Sequence, residues 1–251
     1  MDDPTYLSVV IPAFNEVDNF HHGKLKEVDD YLAKQNYSWE VIVVDDGSTD
    51  NTSSLVSNWV KTKKNWYFIQ NTHYGKAKTV STGMLKARGH IRLFTDFDQA
   101  TPISEVKQVI KKVNAGYQVI IGSREIAGAS RHQEPLLRHL MGRVFNLLVQ
   151  IIAVRKIKDT QCGFKAFTNI ATIDLFNRLV VYKNHRAKDA YMGAFDVELI
   201  FLARKSGYKI TQIPVKWKYV ESTRVNPAKD SIRMLTDIFK IRMAYLLGKY
   251  R

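Results

Sequence analysis

The stretch LFTDFDQATP, residues 93–102, ends an apolar run in two acids, Asp96 and Asp98, with Phe97 between them. On an extended segment, side chains two apart emerge on one face, roughly 6–7 Å apart at the backbone. Two carboxylates held so repel by about 2–3 kcal/mol at an effective dielectric near 20. A divalent cation removes that cost. Mg²⁺ and Mn²⁺ take hard oxygen ligands and fill their shells with phosphate oxygens. The other reading is a solvated turn in which Asp98 caps a helix beginning near Pro102. The surrounding elements must decide between the two.

Strand-like runs occur at LSVVIPAF (7–14), WEVIVVDD (39–46), WYFIQN (66–71), HIRLFTDFD (90–98) and YQVIIGSR (117–124). Between them, apolar residues fall three and four apart, as in Leu25, Val28 and Leu32, or Leu55, Val56, Trp59 and Val60, which predicts helices. Nearly uniform apolar strands alternating with helices predict an α/β fold with a mostly parallel sheet covered on both faces. Near residue 125 the alternation stops and a basic, helix-rich half begins. No Gly/Ser/Pro-rich linker separates the halves, so 1–251 reads as a single domain.

In open α/β sheets, ligands bind beyond the carboxyl ends of the strands. Four strands end in suitable residues: Pro12-Ala13-Phe14-Asn15-Glu16, Asp45-Asp46-Gly47-Ser48, Asp96/Asp98 and Gly122-Ser123-Arg124. A GxGxxG fingerprint is absent. Gly75-Lys76 is no P-loop, since Gln70 stands at the first glycine position and Ala77 follows the lysine. Another device must hold phosphates, and a metal on Asp96 and Asp98 would serve.

Lys and Arg outnumber Asp and Glu by 38 to 24, a net charge of +14, which implies a polyanionic partner. A nucleic acid fits poorly, because the acidic strand ends would repel its backbone. The lone Cys162 excludes an intrachain disulfide and suggests a reducing compartment. No signal-peptide pattern and no run of ~18–20 apolar residues is present, so neither secretion nor a membrane span is expected.

The motifs VVIPAFNE, VIVVDDGSTDNT, HYGKAKTVSTGMLKARG and FTDFDQATP, in this order and spacing, resemble family 2 glycosyltransferases. The second half narrows the likeness. IGSREIAGASRHQEPLLRHLMGRVFN (121–146), DTQCGFKAF (159–167) and FDVELIFLARKSGYKITQIPVKW (195–217) resemble the polyprenol-phosphate branch, most closely its dolichyl-phosphate β-glucosyltransferases. Mannosyl members usually carry Asp-x-Asp-x-Gln; here Ala100 takes the glutamine's place.

The resemblance implies a GT-A fold, with a nucleotide-sugar half over about 7–125 and an acceptor half over about 126–251. It implies that Pro12, Ala13, Asn15 and Glu16 line the nucleoside pocket, with Asp45 accepting from the base and Gly47 turning the chain past it. Gly75 and Lys76 would approach the nucleotide, Asp96 the ribose or metal, and Asp98 the Mg²⁺ or Mn²⁺ on the diphosphate. Arg224 would close over that diphosphate. Asp196 and Glu198 resemble the family's acid pair that orients sugar or acceptor. The alternative for these two is a helix N-terminus that favours acids through its dipole.

Arginines suit a lipid monophosphate because they present paired donors. Arg138 falls where the family holds that phosphate, Arg124 ends the fifth strand at the site's edge, and Arg131 and Arg143 lie near; each alone also reads as solvated surface. A phosphate monoester with second pKa ~6 is already ionised at neutral pH. Transfer of glucose from UDP-glucose to polyprenyl or dolichyl phosphate, with inversion, is the implied reaction, and Asp98, Asp196 and Arg124 are its candidate catalytic residues. The alternatives are mannosyl transfer from GDP-mannose, transfer to a soluble glycan, and a nucleotide-binding membrane scaffold without turnover. Leu136–Val154 and Ser231–Leu247 read as basic amphipathic helices able to lie among headgroups, or as core-packing helices. The expectation is a peripheral protein on the cytoplasmic face of an anionic membrane. Oligomeric state has no signature in the sequence.

Overall fold

The computed structural model describes residues 4–132, 149, 153–182, 193–220 and 227–250, with the side chains of 227–231 left aside. A seven-stranded sheet runs in the order β3-β2-β1-β4-β7-β5-β8. Its strands are β1 (Leu7–Ala13), β2 (Trp39–Asp45), β3 (Trp66–Gln70), β4 (Ile91–Phe94), β5 (Val119–Ser123), β7 (Lys165–Thr168) and β8 (Ile210–Pro214). All neighbours pair parallel except β7, which is antiparallel to both β4 and β5. Strands β6 (Ser130–His132) and β9 (Lys216–Lys218) form a separate parallel ribbon. The sheet thus draws strands from both sides of residue 125.

Side-chain alternation fills both faces. Val9 and Ile11 point into one core with Leu25, Val28 and Leu32 of α2 (Lys24–Leu32) and Val56 and Val60 of α3 (Thr52–Val60). Val10, Val44 and Phe94 join the other core with Val80 and Met84 of α4 (Lys76–Lys86). That core also takes α6 (Asn169–Asn177), α7 (Phe195–Lys205) and α8 (Pro227–Leu246). Short α1 (Val17–His21) precedes α2, and α5 (Val106–Asn114) packs Val106 and Val109 on the α2 side. Strands buried on both faces cannot alternate polar and apolar residues, hence the continuous apolar runs.

One expectation needs correction. The run 90–98 is a strand only over Ile91–Phe94. Beyond it the chain turns: Gln99 N donates to Asp96 O at 3.3 Å, and Gln99 takes φ 52. Asp96 and Asp98 therefore sit on a turn, not on an extended segment. The cause is local, because Asp98 Oδ1 accepts from Ala100 N at 2.9 Å and so curls the backbone back on itself. Of the proposed Leu136–Val154 helix, Val149, Ala153 and Val154 are described and pack in the core; the rest lies outside the described residues.

The antiparallel β7 has a consequence for the site. Its first residue, Lys165, pairs in register with Phe94 and Ile121, so its amino end meets the carboxyl ends of β4 and β5. Helix α4 reaches the same edge, and it does so through a close fit on β1 and β2. A Cβ built on Gly83 would lie 2.4 Å from Val10 Cγ1 and 2.9 Å from Val44 Cγ2. Gly83→Ala should therefore cost about 1–3 kcal/mol through overpacking, read as a lower denaturation midpoint. An unchanged midpoint would show that α4 is not seated this tightly.

Candidate active site

The loops that follow β1 and β2 are zipped together. Ala13 O accepts from Asp46 N at 2.8 Å, Asn15 N donates to Ser48 Oγ at 2.9 Å, and Glu16 N donates to Thr52 Oγ1 at 2.6 Å. Asn15, at φ 55, accepts Thr49 N on its Oδ1 at 2.8 Å. Asp45 is fully buried and takes Ser48 Oγ and Ser48 N at 2.5 and 3.2 Å. Its first duty here is the turn itself.

Asp46, named from the sequence only as one of the residues ending β2, has a larger structural part. Its carboxylate accepts Tyr74 N, Gly75 N and His73 Nδ1 at 2.9–3.2 Å. It thereby clamps the segment that delivers Lys76. The approach is close: a Cβ on Gly47 would meet His73 N at 2.9 Å, and Gly47 sits at φ 72. Gly75, at φ 90 and ψ 165, then turns the chain into α4 in a conformation open almost only to glycine. His73 stacks on Phe14 with ring centroids 4.5 Å apart.

Five charged residues converge at the carboxyl edge: Lys76, Asp96, Asp98, Lys165 and Asp196. Lys76 Nζ lies 2.5 Å from Asp96 Oδ1, and Lys165 Nζ lies 2.6 Å from Asp196 Oδ1. Burial opposes the charge on Lys76, yet Asp96, with Asp196 and Asp98 beyond, holds its pKa above the ordinary lysine range. Burial and then repulsion from Asp96 push Asp98 up to about 6. Asp196 is likewise raised by burial, against the pull of Lys165 and Lys76. Gly163 lies directly beneath Asp96, since a Cβ there would fall 1.8 Å from Asp96 Oδ2. Lys165 is fully buried, also donates to Cys162 O, and stands 5.5 Å from the centre of the Phe94 ring. A lysine opening an otherwise apolar strand, inside the quoted run DTQCGFKAF, was the signal for it.

The two acids of FDVE part company. Asp196 faces the lysines, whereas Glu198 Oε1 accepts Val180 N, Val181 N and Tyr250 Oη at 2.8–2.9 Å. Two residues along a helix point to different sides. Glu198 fastens the chain's end to α7, and Asp196 alone belongs to the charged cluster.

Arg124 forms a fork on buried Asp159, Nε to Oδ2 at 2.7 Å and Nη2 to Oδ1 at 2.9 Å. It and Arg131 lie 5.2 and 5.9 Å from the Trp217 ring centre, and Arg131 also pairs with Glu125. Lys218 N donates to Ala100 O at 2.9 Å, tying the β6–β9 ribbon to the Asp98 turn. Arg138, Arg143 and Arg224 lie outside the described residues. Among the described residues, no group of three or more His, Cys, Asp or Glu is placed to hold a metal. Asp96 and Asp98 still suit one. They are hard oxygen donors two residues apart on one turn, and these ions commonly need only one or two carboxylates besides phosphate oxygens.

Residues 8–182 match the family model described as "Glycosyl transferase family 2". The chain belongs to glycosyltransferase family 2. It is a sugar-transferring enzyme by that membership. The dolichyl-phosphate β-glucosyltransferase of Saccharomyces cerevisiae is 34% identical over 100% of this chain and 78% of its own length. Those of Dictyostelium discoideum and Homo sapiens are each 32% identical, over 99% and 100% of this chain and 77% and 79% of their own lengths. In fold, this glycosyltransferase resembles a mannosyltransferase from Pyrobaculum calidifontis in complex with GDP-Man and Mn²⁺, with TM-score 0.64 and 20% identity over 96% of this chain and 65% of that one. It also resembles glucosyl-3-phosphoglycerate synthase from Mycobacterium tuberculosis in complex with Mn²⁺, UDP and glucosyl-3-phosphoglycerate, with TM-score 0.63 and 15% identity over 94% and 80%. The α/β architecture expected from the sequence is thus that of GT-A glycosyltransferases.

The Arg124–Asp159 fork makes stability depend on pH. Burial alone would raise Asp159, but the Arg124 guanidinium and its hydrogen bonds overcome this and hold the carboxyl at about 2. An unfolded aspartate titrates near 3.9, so the pair contributes about 2 kcal/mol above pH ~4. That contribution is lost as the pH falls from about 4 to about 2. Denaturant melts across this window should show the loss, and Asp159→Asn should flatten it while lowering neutral-pH stability. A wild-type profile matching the variant's would remove the fork from the account.

Proposed function

We propose that this enzyme transfers glucose from UDP-glucose to a polyprenyl or dolichyl phosphate at the cytoplasmic surface of a membrane, with inversion at the anomeric carbon. The observation that carries the proposal is the gathering of Lys76, Asp96, Asp98 and Asp196 at the carboxyl edge of the parallel strands. It occurs in a chain similar along its whole length to proteins named dolichyl-phosphate β-glucosyltransferase.

Asp98, with Asp96, would hold Mg²⁺ or Mn²⁺. When bound, the metal supplies a positive centre for the charge that develops on the departing diphosphate. Lys76 is already aimed at that spot and would carry a second positive charge to it. The loops bearing Pro12, Ala13, Asn15, Glu16, Asp45 and Gly47 would receive the nucleoside. An oxygen of the acceptor phosphate attacks the anomeric carbon as the bond to UDP breaks. Since that phosphate is already ionised, no strong base is required, and positioning dominates the rate. Asp196, fixed by Lys165, would orient sugar or acceptor. Arg131 and Arg124 would border the acceptor side, with Arg138 assigned there, and Arg224 assigned to the donor diphosphate, by resemblance alone.

Helix α8 supports the membrane surface. Ile232, Phe239, Met243 and Leu246 recur at helical spacing and are all exposed, with Leu247 just beyond. Ile238, Ile241 and Ala244 of the same helix are buried on its opposite side. Arg233 and Lys240 border the exposed stripe on one side and Arg242 on the other, as in helices that lie among anionic headgroups. Among the described residues, no helix is long and apolar enough to cross a membrane.

The test is transfer of labelled sugar to dolichyl phosphate, with UDP-glucose, UDP-galactose, UDP-N-acetylglucosamine and GDP-mannose offered in parallel. Label should pass from UDP-glucose, need Mg²⁺ or Mn²⁺, and fall about 10²–10³-fold in Asp98→Ala. Transfer from GDP-mannose alone would overturn the donor, and no lipid-linked product from any donor would overturn the acceptor. In a separate measurement, Phe239→Asp with Met243→Asp should abolish salt-sensitive binding to anionic vesicles at unchanged melting temperature. Unchanged vesicle binding would release α8 from this role.

A further inference from the structure

Gln99 directly follows Asp98, and nothing so far gives it a function. Two observations set it apart. Its backbone lies at φ 52, a left-handed conformation that is costly for a residue bearing a side chain. Its amide is buried, the residue being 6% exposed, and only half of that amide is satisfied. Nε2 donates to Asp96 O at 2.8 Å, while Oε1 meets no donor among the described residues. Turning the amide over would set its oxygen against the Asp96 carbonyl oxygen, so the orphan is the acceptor.

Neither cost is needed to make the turn. Asp98 Oδ1 already takes Ala100 N, and Lys218 N already holds Ala100 O. A glycine at 99 would accept the same φ without strain and bury no unpaired oxygen. A residue that bears both costs next to Asp98, with its oxygen closed off in the absence of ligand, marks a contact completed only when the ligand binds.

We propose that Gln99 is a donor-binding residue whose Oε1 accepts a hydrogen bond from a hydroxyl of the bound sugar nucleotide. The proposal rests on the nucleotide-sugar reading of the site. An amide oxygen can only accept. Ionised diphosphate oxygens have no hydrogen to give, and a cation here would be served by the anionic carboxylates of Asp96 and Asp98 ahead of a neutral amide. Apart from the base N–H, which the resemblance gives to Asp45, hydroxyls of the ribose or of the hexose are what UDP-glucose brings that can satisfy Oε1.

Calorimetry on the full chain with Mn²⁺, titrating UDP and UDP-glucose into wild type and Gln99→Gly, tests this, together with thermal melts and Mn²⁺ binding followed by electron paramagnetic resonance. Gln99→Gly should melt about 2–4 °C higher, bind UDP-glucose about 3–10-fold more weakly, and bind Mn²⁺ alone as wild type does. Weakening of UDP-glucose but not UDP would assign the hydroxyl to the hexose, and equal weakening of both to the ribose. Unchanged UDP-glucose affinity would overturn the proposal, as would loss of Mn²⁺ affinity in the absence of nucleotide, which would make Gln99 a metal ligand. Failure of wild type to bind any sugar nucleotide would instead overturn the donor reading of the whole site.

Discussion

Carboxylates crowded together away from bulk water need a cation between them, and the carboxyl edge of the sheet is arranged around that constraint. Lys165 answers Asp196 at 2.6 Å and Lys76 answers Asp96 at 2.5 Å, while Asp98 meets no cation among the described residues and burial pushes it up to about 6. The lysines arrive by different routes. Lys165 comes because β7 runs against its neighbours, and Lys76 because Gly75 turns the chain into α4. Both routes depend on close backbone approach, at Gly83 under α4 and at Gly163 under Asp96. Among the described residues the cluster is short of one positive charge, which the proposed metal would supply.

The second half of the chain is tied to this edge by polar contacts. Tyr182 Oη donates to Asp237 of α8 at 2.5 Å and accepts from Ala194 N at the start of α7, the helix that carries Asp196. The helix with the exposed apolar stripe and the helix with the buried acid therefore share one phenol. On the other flank, the Trp217 ring lies against Arg124 and Arg131, and its ribbon holds Ala100.

Much of this was legible in the sequence because it follows local rules. Uniform apolar runs broken by helical spacing gave the α/β sheet, and Leu25, Val28 and Leu32 form the buried face they were expected to form. The ordered motifs carried the family. What escaped depends on distant pairing. Nothing local shows that Lys165 lies beside Asp196, thirty-one positions away, or that Asp159 receives Arg124. FDVE reads as a pair, but helical rotation sends Glu198 to Tyr250 and leaves Asp196 at the cleft. The strand was read through Asp98 because its apolar residues continue to Phe97, whereas the Asp98 hydrogen bond to Ala100 N imposes a turn. Asp46 and Gln99 received no role of their own for a similar reason, since one acts through backbone amides and the other through a conformation that residue type does not announce.

The most direct test of the central claim is a crystal soaked with Mn²⁺ and UDP, with the metal located by anomalous scattering. The expected result is a single strong peak within coordination distance of Asp98, with the diphosphate on its other side and Lys76 turned from Asp96 toward the phosphates. A peak elsewhere, or bound UDP with no peak and the Lys76–Asp96 contact intact, would contradict the account of the carboxyl edge as a metal–diphosphate site.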